Sequence, residues 1–287
     1  MRSASLPPLP TDTAAAAEAA FGQKNIYLLI GNSLARLLAG AEFSSLYQPE
    51  EISDPLPALY SLVTIFQFLE GLSDDQAAEA TRVRVDWKYA LHLSLSHPGL
   101  RAAALCDFRR RLLKGEESQK ALAQVLERLA AESALREVPF PGADALYLVE
   151  SVCLANRVAR LAGAMRAAVE AVAACDGEWM RGIVRPHWYQ RYGRPLAGLR
   201  MPDGFGQVQL AESIGEDGFY LLEMIRQSEK DLSGLAEISK LELIWSLEYE
   251  RWDTRFRWCQ SDCARCLMQR GESSQGGALG QAIGAAD

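Results

Sequence analysis

The chain has 287 residues, is 49% apolar and 23% charged, and carries a formal net charge of −7. This is the profile of a globular protein with room for about two domains and a sizeable core, and it excludes a wholly basic nucleic-acid coat. No apolar run approaches the ~18–20 residues needed to span a bilayer, so no membrane partner is expected. The opening MRSASLPPLP does not read as a secretory leader, and six cysteines without paired spacing fit a reducing cytoplasm.

Residues 1–20 are expected to be a loose N-terminal segment, Pro/Ser-rich at first. An alanine-rich helix over Thr11–Ala20 follows, with Thr11 or Asp12 as its N-cap. Ile26, Leu29, Ile30, Leu34, Leu37 and Leu38 recur at helical spacing, and residues 39–57 read as a connector rich in turn formers. Residues 58–70 are apolar almost all round, which predicts a central buried helix. Gly71 is its expected C′ residue, and Ser73 with Gln76 forms a capping-box pattern for the next helix. The three-residue break 71–73 has the length of a helix-turn-helix connection. A short helix over 86–93, closed by His97-Pro98-Gly99, and helices over 102–113 and 118–134 come next. Val138-Pro139-Phe140-Pro141-Gly142 is the expected domain boundary. Beyond it a long helix spans about 146–174, with a strand at 145–149 as the alternative start. Residues 177–207 read as irregular. Helices are expected at about 207–229 and 234–250, and residues 252–287 as a tail without periodicity. There is no internal repeat.

Charge is uneven along this frame. Residues 81–114 hold eight Lys/Arg against two acids, Asp86 and Asp107. The basic residues follow a helix-break-helix, and Lys and Arg neutralise phosphates with release of counterions, so DNA is the expected partner of this stretch. The candidate contacts are Arg82, Arg84, Lys88, Arg109, Arg110 and Arg111. The alternative is surface arginine pairing with the acidic remainder. Trp87 and Tyr89 are expected in the core. Cys259, Cys263 and Cys266 have iron–sulfur spacing, yet lie in the tail without a fourth ligand nearby. His92, His97 and His187 are far apart, and no nucleophile–base pair or phosphate loop is evident. Asp144 stands alone after the boundary, as either an N-cap or a metal ligand.

The runs LYSLVTIFQFLEGLSDDQAAEA at 59–80, VDWKYAL at 85–91, HPG at 97–99 and DFRRRLL at 107–113 resemble transposases of bacterial insertion sequences. The resembling proteins have an InsH-type N-terminal domain and a DDE, RNase H-like core. NRV at 156–158, WYQRYGR at 188–194 and GEDGFYLL at 215–222 extend the resemblance, which runs from Phe21 to about Tyr249. It implies a mainly α architecture. A multi-helical DNA-binding domain at 21–137, with a helix-turn-helix-like unit, precedes a mostly helical, incomplete RNase H-like catalytic segment at 138–251. It also implies double-stranded transposon-end DNA as partner, and a homo-oligomer or pairing with a full-length transposase. Mg²⁺ is the cofactor of the intact family. At the place of the family's first catalytic Asp this chain reads ADALY, so Asp144 matches while its polar neighbours do not. The second Asp and the Glu have no counterpart here, so Asp144 is expected to be vestigial and the chain to use no cofactor. A truncated or frameshifted transposase, a non-catalytic regulator of a full-length enzyme, and a decayed remnant all remain open.

Overall fold

A computed structural model describes residues 6–22, 24–41, 57–132, 144–193, 204–252 and 255–259, with positions 43, 46, 47, 135, 138 and 142 between them. The fold is mainly α. Among the described residues there are thirteen helices and one two-stranded antiparallel hairpin. The chain divides into two compact units. The first holds the residues up to Glu70 together with Asp74–Val152. The second holds Gly71–Ser73 and Cys153–Ser261. The division therefore falls inside a helix rather than at the Pro/Gly stretch 138–142, of which only Val138 and Gly142 are described.

The first unit is built on α4 (Pro57–Glu70), whose residues Ser61–Gln67 are all buried. A helix surrounded by protein must satisfy its polar side chains locally. Ser61 and Thr64 do so by donating to the carbonyls of Ala58 and Tyr60. Around it lie α5 (Asp74–Val83), α6 (Val85–Ala90), α7 (Ala102–Leu112) and α8 (Glu116–Ala131). Trp87 is wholly buried, with its ring centroid 5.1 Å from Phe66 and 5.8 Å from Tyr27. Burying each such ring contributes about 1.5–3 kcal/mol before the ring–ring terms. Tyr89 is buried as well, so both aromatics occupy the core as expected.

Ile26–Leu38 forms not one helix but two, α2 (Ile26–Asn32) and α3 (Leu34–Leu37), broken at Ser33. Asn25 caps α2 by accepting from the Tyr27 and Leu28 N–H groups. The segment expected to be loose is docked from Leu6 onward. In α1 (Thr11–Ala20), Ala17 packs with Leu28 and Tyr89, and the Thr13 hydroxyl donates to the Leu93 carbonyl. The α1 N-cap is Pro10 rather than Thr11 or Asp12, with no side-chain capping bond.

The second unit gathers the later turns of α9 (Ala145–Cys175), α10 (Gly177–Ile183), α11 (Pro186–Tyr192), α12 (Gly204–Gln227) and α13 (Ala236–Glu248). The strand alternative at 145–149 is not adopted. The stretch read as irregular holds α10 and α11, because Asp176 caps one and Pro186 opens the other. A hairpin follows, β1 (Tyr249–Trp252) and β2 (Arg255–Trp258), pairing Tyr249 with Trp258 and Trp252 with Arg255. The span assigned to the tail thus begins in a strand, and Trp258 is part of the second core. Glu248 ties this end together. It accepts from Arg157 at 2.7 Å and Trp258 Nε1 at 3.2 Å, pairs with Arg160, and its backbone carbonyl accepts the Cys259 N–H. No helix among the described residues is long and apolar enough to cross a membrane.

Candidate nucleic-acid interface

The break between α4 and α5 is three residues, and Gly71 takes φ 63, a conformation that a Cβ would strain. α4, α5 and α7 share a closed polar triangle. Arg109 Nη2 is 2.7 Å from Asp74 Oδ2, Arg109 Nη1 donates to Gln67 Oε1 at 3.1 Å, and Gln67 Nε2 donates to Asp74 Oδ1 at 2.9 Å. Arg109 is 1% exposed and Asp74 2%. Each corner sits on a different helix, so the triangle fixes α4, α5 and α7 against one another.

A second lock closes the α5–α6 corner. The Arg84 guanidinium donates to both Glu70 oxygens at 2.7 Å and to both Asp86 oxygens at 3.0 and 2.6 Å. It lies within about 5 Å of the Tyr27 and Trp87 ring centres. Tyr27 donates its hydroxyl to Glu70, and burial, followed by that contact, pushes its phenol far above the ordinary value. Lys88 is buried and donates to the carbonyls of Leu95 and His97. Burial, and then the Arg82 charge, holds its ammonium below the usual lysine value.

The six arginine and lysine candidates therefore separate. Arg109 and Lys88 are buried, and Arg84, partly exposed, gives its donors to two carboxylates. Arg111 is half-committed. It bonds Asp107 at 2.7 Å and the Leu46 carbonyl at 2.9 Å, and it stacks on Tyr47. Arg110 shares Asp107 and stays partly open, while Arg82 is exposed and, among the described residues, pairs with Glu79 one turn away. The excess counted over residues 81–114 omitted Glu70, Asp74 and Glu79, which lie just upstream and neutralise three of the cations.

Sequence reasoning did not select Arg101, which is exposed at the start of α7. The turn before it brings it towards Arg82. Leu100 N–H donates to Thr81 Oγ1 at 2.8 Å, and Gly99, at φ 85, lies so close that a Cβ there would be 2.9 Å from the Arg82 backbone nitrogen. His97 Nδ1 accepts the Gly99 N–H at 3.0 Å. The His-Pro-Gly run that carried part of the resemblance is thus the joint on which the C-terminus of α5 meets the N-terminus of α7. Its glycine was the available signal.

The remaining candidates are distributed elsewhere. Asp144 is exposed and caps α9, accepting the Tyr147 N–H at 2.9 Å. Among the described residues no three His, Cys, Asp or Glu side chains converge. His92 sits at φ 54 with its ring nitrogens 2.9 Å from the Pro7 carbonyl and 3.0 Å from that of Gly31. His187 meets Asp217. Cys263 and Cys266 lie outside the described residues. The Cys259 thiol is pushed up by burial and then by Glu250, which opposes the thiolate that a metal needs.

Residues 31–111 match the family model of a transposase domain, DUF772. The match supports a transposase family. It spans α3 to α7, including both locks and the Arg82–Arg101 joint. No curated protein and no solved structure matched the chain.

Proposed function

We propose that this chain, with its transposase domain over residues 31–111, binds double-stranded DNA at transposon ends through the first unit. In this reading α4–α5 is the helix-turn-helix-like unit, and Arg82, Arg101 and Arg110 are the main phosphate contacts, with Arg111 at the edge. The observation that carries it is that the residues matched to the family model include Arg82, Arg101 and Arg110, whose side chains are exposed or partly exposed. The Arg82–Glu79 pair is exposed on both sides and screened by solvent, so a phosphate competes for Arg82 at little cost. Arg109, Lys88 and Arg84 act from inside, by fixing the helices that carry those contacts.

The test is duplex binding, followed by fluorescence anisotropy across a salt series, with the DNA flanking the gene compared against unrelated sequence. Replacing Arg82 and Arg101 by Ala should lower the slope of log affinity against log salt by roughly two. An unchanged slope removes that face from the interface.

We further propose that the chain occupies DNA without cutting it. Asp144 spends its carboxylate on a helix cap, and its neighbours Ala145, Leu146 and Tyr147 offer no ligand oxygen from a side chain other than the Tyr147 phenol. Such a protein would act as a regulator of a complete transposase, by occupying ends or by pairing with the enzyme. Mg²⁺-dependent nicking of end DNA by the purified chain would refute this. Inhibition of strand transfer when the chain is added to an active transposase would support it.

A further inference from the structure

A second cationic cluster lies wholly in the second unit. Asp217 on α12 is buried, and its two oxygens collect the side chains of α11. His187 Nε2 is 2.9 Å from Oδ1, the Tyr192 hydroxyl donates to Oδ2 at 2.8 Å, and Arg191 donates to the same Oδ2. Arg185 Nη1 is 3.8 Å from Oδ1, within ion-pair range but too far for a hydrogen bond.

One carboxylate thus faces two permanent positive charges and an imidazole. The charges are not equally spent. Arg185 lies 3.8 Å from the centre of the Tyr220 ring, which fixes the plane of its guanidinium, and Tyr220 is itself held by its bond to the Ile183 carbonyl at 3.2 Å. Within the described residues the Arg185 side chain donates no hydrogen bond, and it is 39% exposed. A stacked, pre-oriented guanidinium with unused N–H donors matches the two oxygens of a phosphate, at a smaller entropy cost than a free surface arginine. His187 is 43% exposed and Arg191 20%, so the outer faces of all three groups are reachable.

We propose that Arg185, with His187 and Arg191 beside it, forms a phosphate-binding patch that contacts the sugar-phosphate backbone of DNA, separate from the surface of the first unit. Asp217 is the positioning residue: it holds the cluster and cancels one charge, leaving an excess for the ligand. The inference rests on the DNA-binding reading above and adds a contact in a unit to which that reading assigns none.

The experiment measures duplex binding by the full chain across a salt series, for wild type, Arg185→Gln, Arg185→Lys and the pair Arg82→Ala/Arg101→Ala. Melting curves check that each variant folds, and Arg185→Gln leaves Asp217 with Arg191 and Tyr192. The expected result is a several-fold loss of affinity for Arg185→Gln with a salt slope lower by about one, and partial retention in Arg185→Lys. An unchanged slope in Arg185→Gln, beside a reduced one in Arg82→Ala/Arg101→Ala, overturns this patch and leaves the first-unit reading standing. A wild-type chain that binds no duplex overturns both. A parallel arm adds inorganic phosphate. If phosphate raises the wild-type melting temperature but not that of Arg185→Gln, while the DNA slopes agree, the site takes a free anion and the backbone assignment fails.

Discussion

Arg109→Ala offers the sharpest test of the division between framework and contact arginines. The guanidinium is 1% exposed, bonds Asp74 at 2.7 Å and Gln67 at 3.1 Å, and leaves only its Nε without a partner. Truncating it removes the cation from a carboxylate that is 2% exposed. Removing one partner of a buried pair costs about 3–5 kcal/mol, a large share of the roughly 5–15 kcal/mol that holds a domain together. Arg110→Ala, on the next residue of the same helix, loses a partly exposed pair and should cost about 0–1 kcal/mol. Urea unfolding followed by tryptophan fluorescence separates the two, since Trp87 lies in the same core. Replacing all three corners by apolar residues of similar volume (Arg109→Met, Asp74→Leu, Gln67→Leu) should recover most of the loss, because no charge then remains buried at these positions. If Arg109→Ala proves as stable as Arg110→Ala, the triangle is not holding the helices. If it stays folded and stable yet loses DNA binding with a reduced salt slope, Arg109 is a contact and the internal assignment is wrong.

Further expectations concern alkali, close packing and the C-terminal tie. The phenols of Tyr27, Tyr192 and Tyr249 are all raised, first by burial and then by Glu70, Asp217 and Glu248 respectively. A raised folded-state value means that the unfolded chain loses these protons first. Stability is therefore intact below the ordinary tyrosine value of 10.0 and falls above it, by about 1.4 kcal/mol per pH unit for each tyrosine. An absorbance titration should show these three ionising only with unfolding, and reversible titration of all nine tyrosines in the native state would refute it. Gly31→Ala would place a Cβ 2.7 Å from the Tyr89 ring and 2.9 Å from its carbonyl oxygen, so α2 must move off α6, at a cost of about 1–3 kcal/mol in denaturant unfolding. Glu248→Ala removes the carboxylate that faces Arg157, which is 6% exposed, and should cost the second unit about 3–5 kcal/mol. A red shift of tryptophan emission from Trp258 would accompany it, and unchanged emission and stability would refute the tie.

The residues that carried the family resemblance turn out to be joints of the structure. Gly71 ends α4 at positive φ, and Gly99 seats the turn against Arg82. Gly215 and Gly218 leave room for the rings of Tyr249 and Trp245. Such positions are legible because a local backbone or space requirement restricts the residue type. Helix content was legible for the same kind of reason. The near-continuous apolar run of α4 and the three- and four-residue spacing along α9 specify buried helical faces whatever surrounds them.

Charge was not legible in that way. From sequence, Arg82, Arg84, Lys88, Arg109, Arg110 and Arg111 are equivalent members of one basic stretch. Whether a cation faces water or a buried carboxylate depends on which helices meet, and that is a long-range property. Asp74 reaches Arg109 across 35 positions, and Glu70 reaches Arg84 across 14. The hairpin at 249–258 was equally hidden, because two four-residue strands carry too little periodicity and gain their stability from the ties at Glu248 and Trp258. The sequence alone therefore determined the mainly α class, the break at 71–73 and the resemblance to transposases, all set by local pattern. The tertiary structure decided which arginines are buried as framework and which keep an exposed face, because a side chain's electrostatic partner is chosen by packing rather than by its neighbours in the chain.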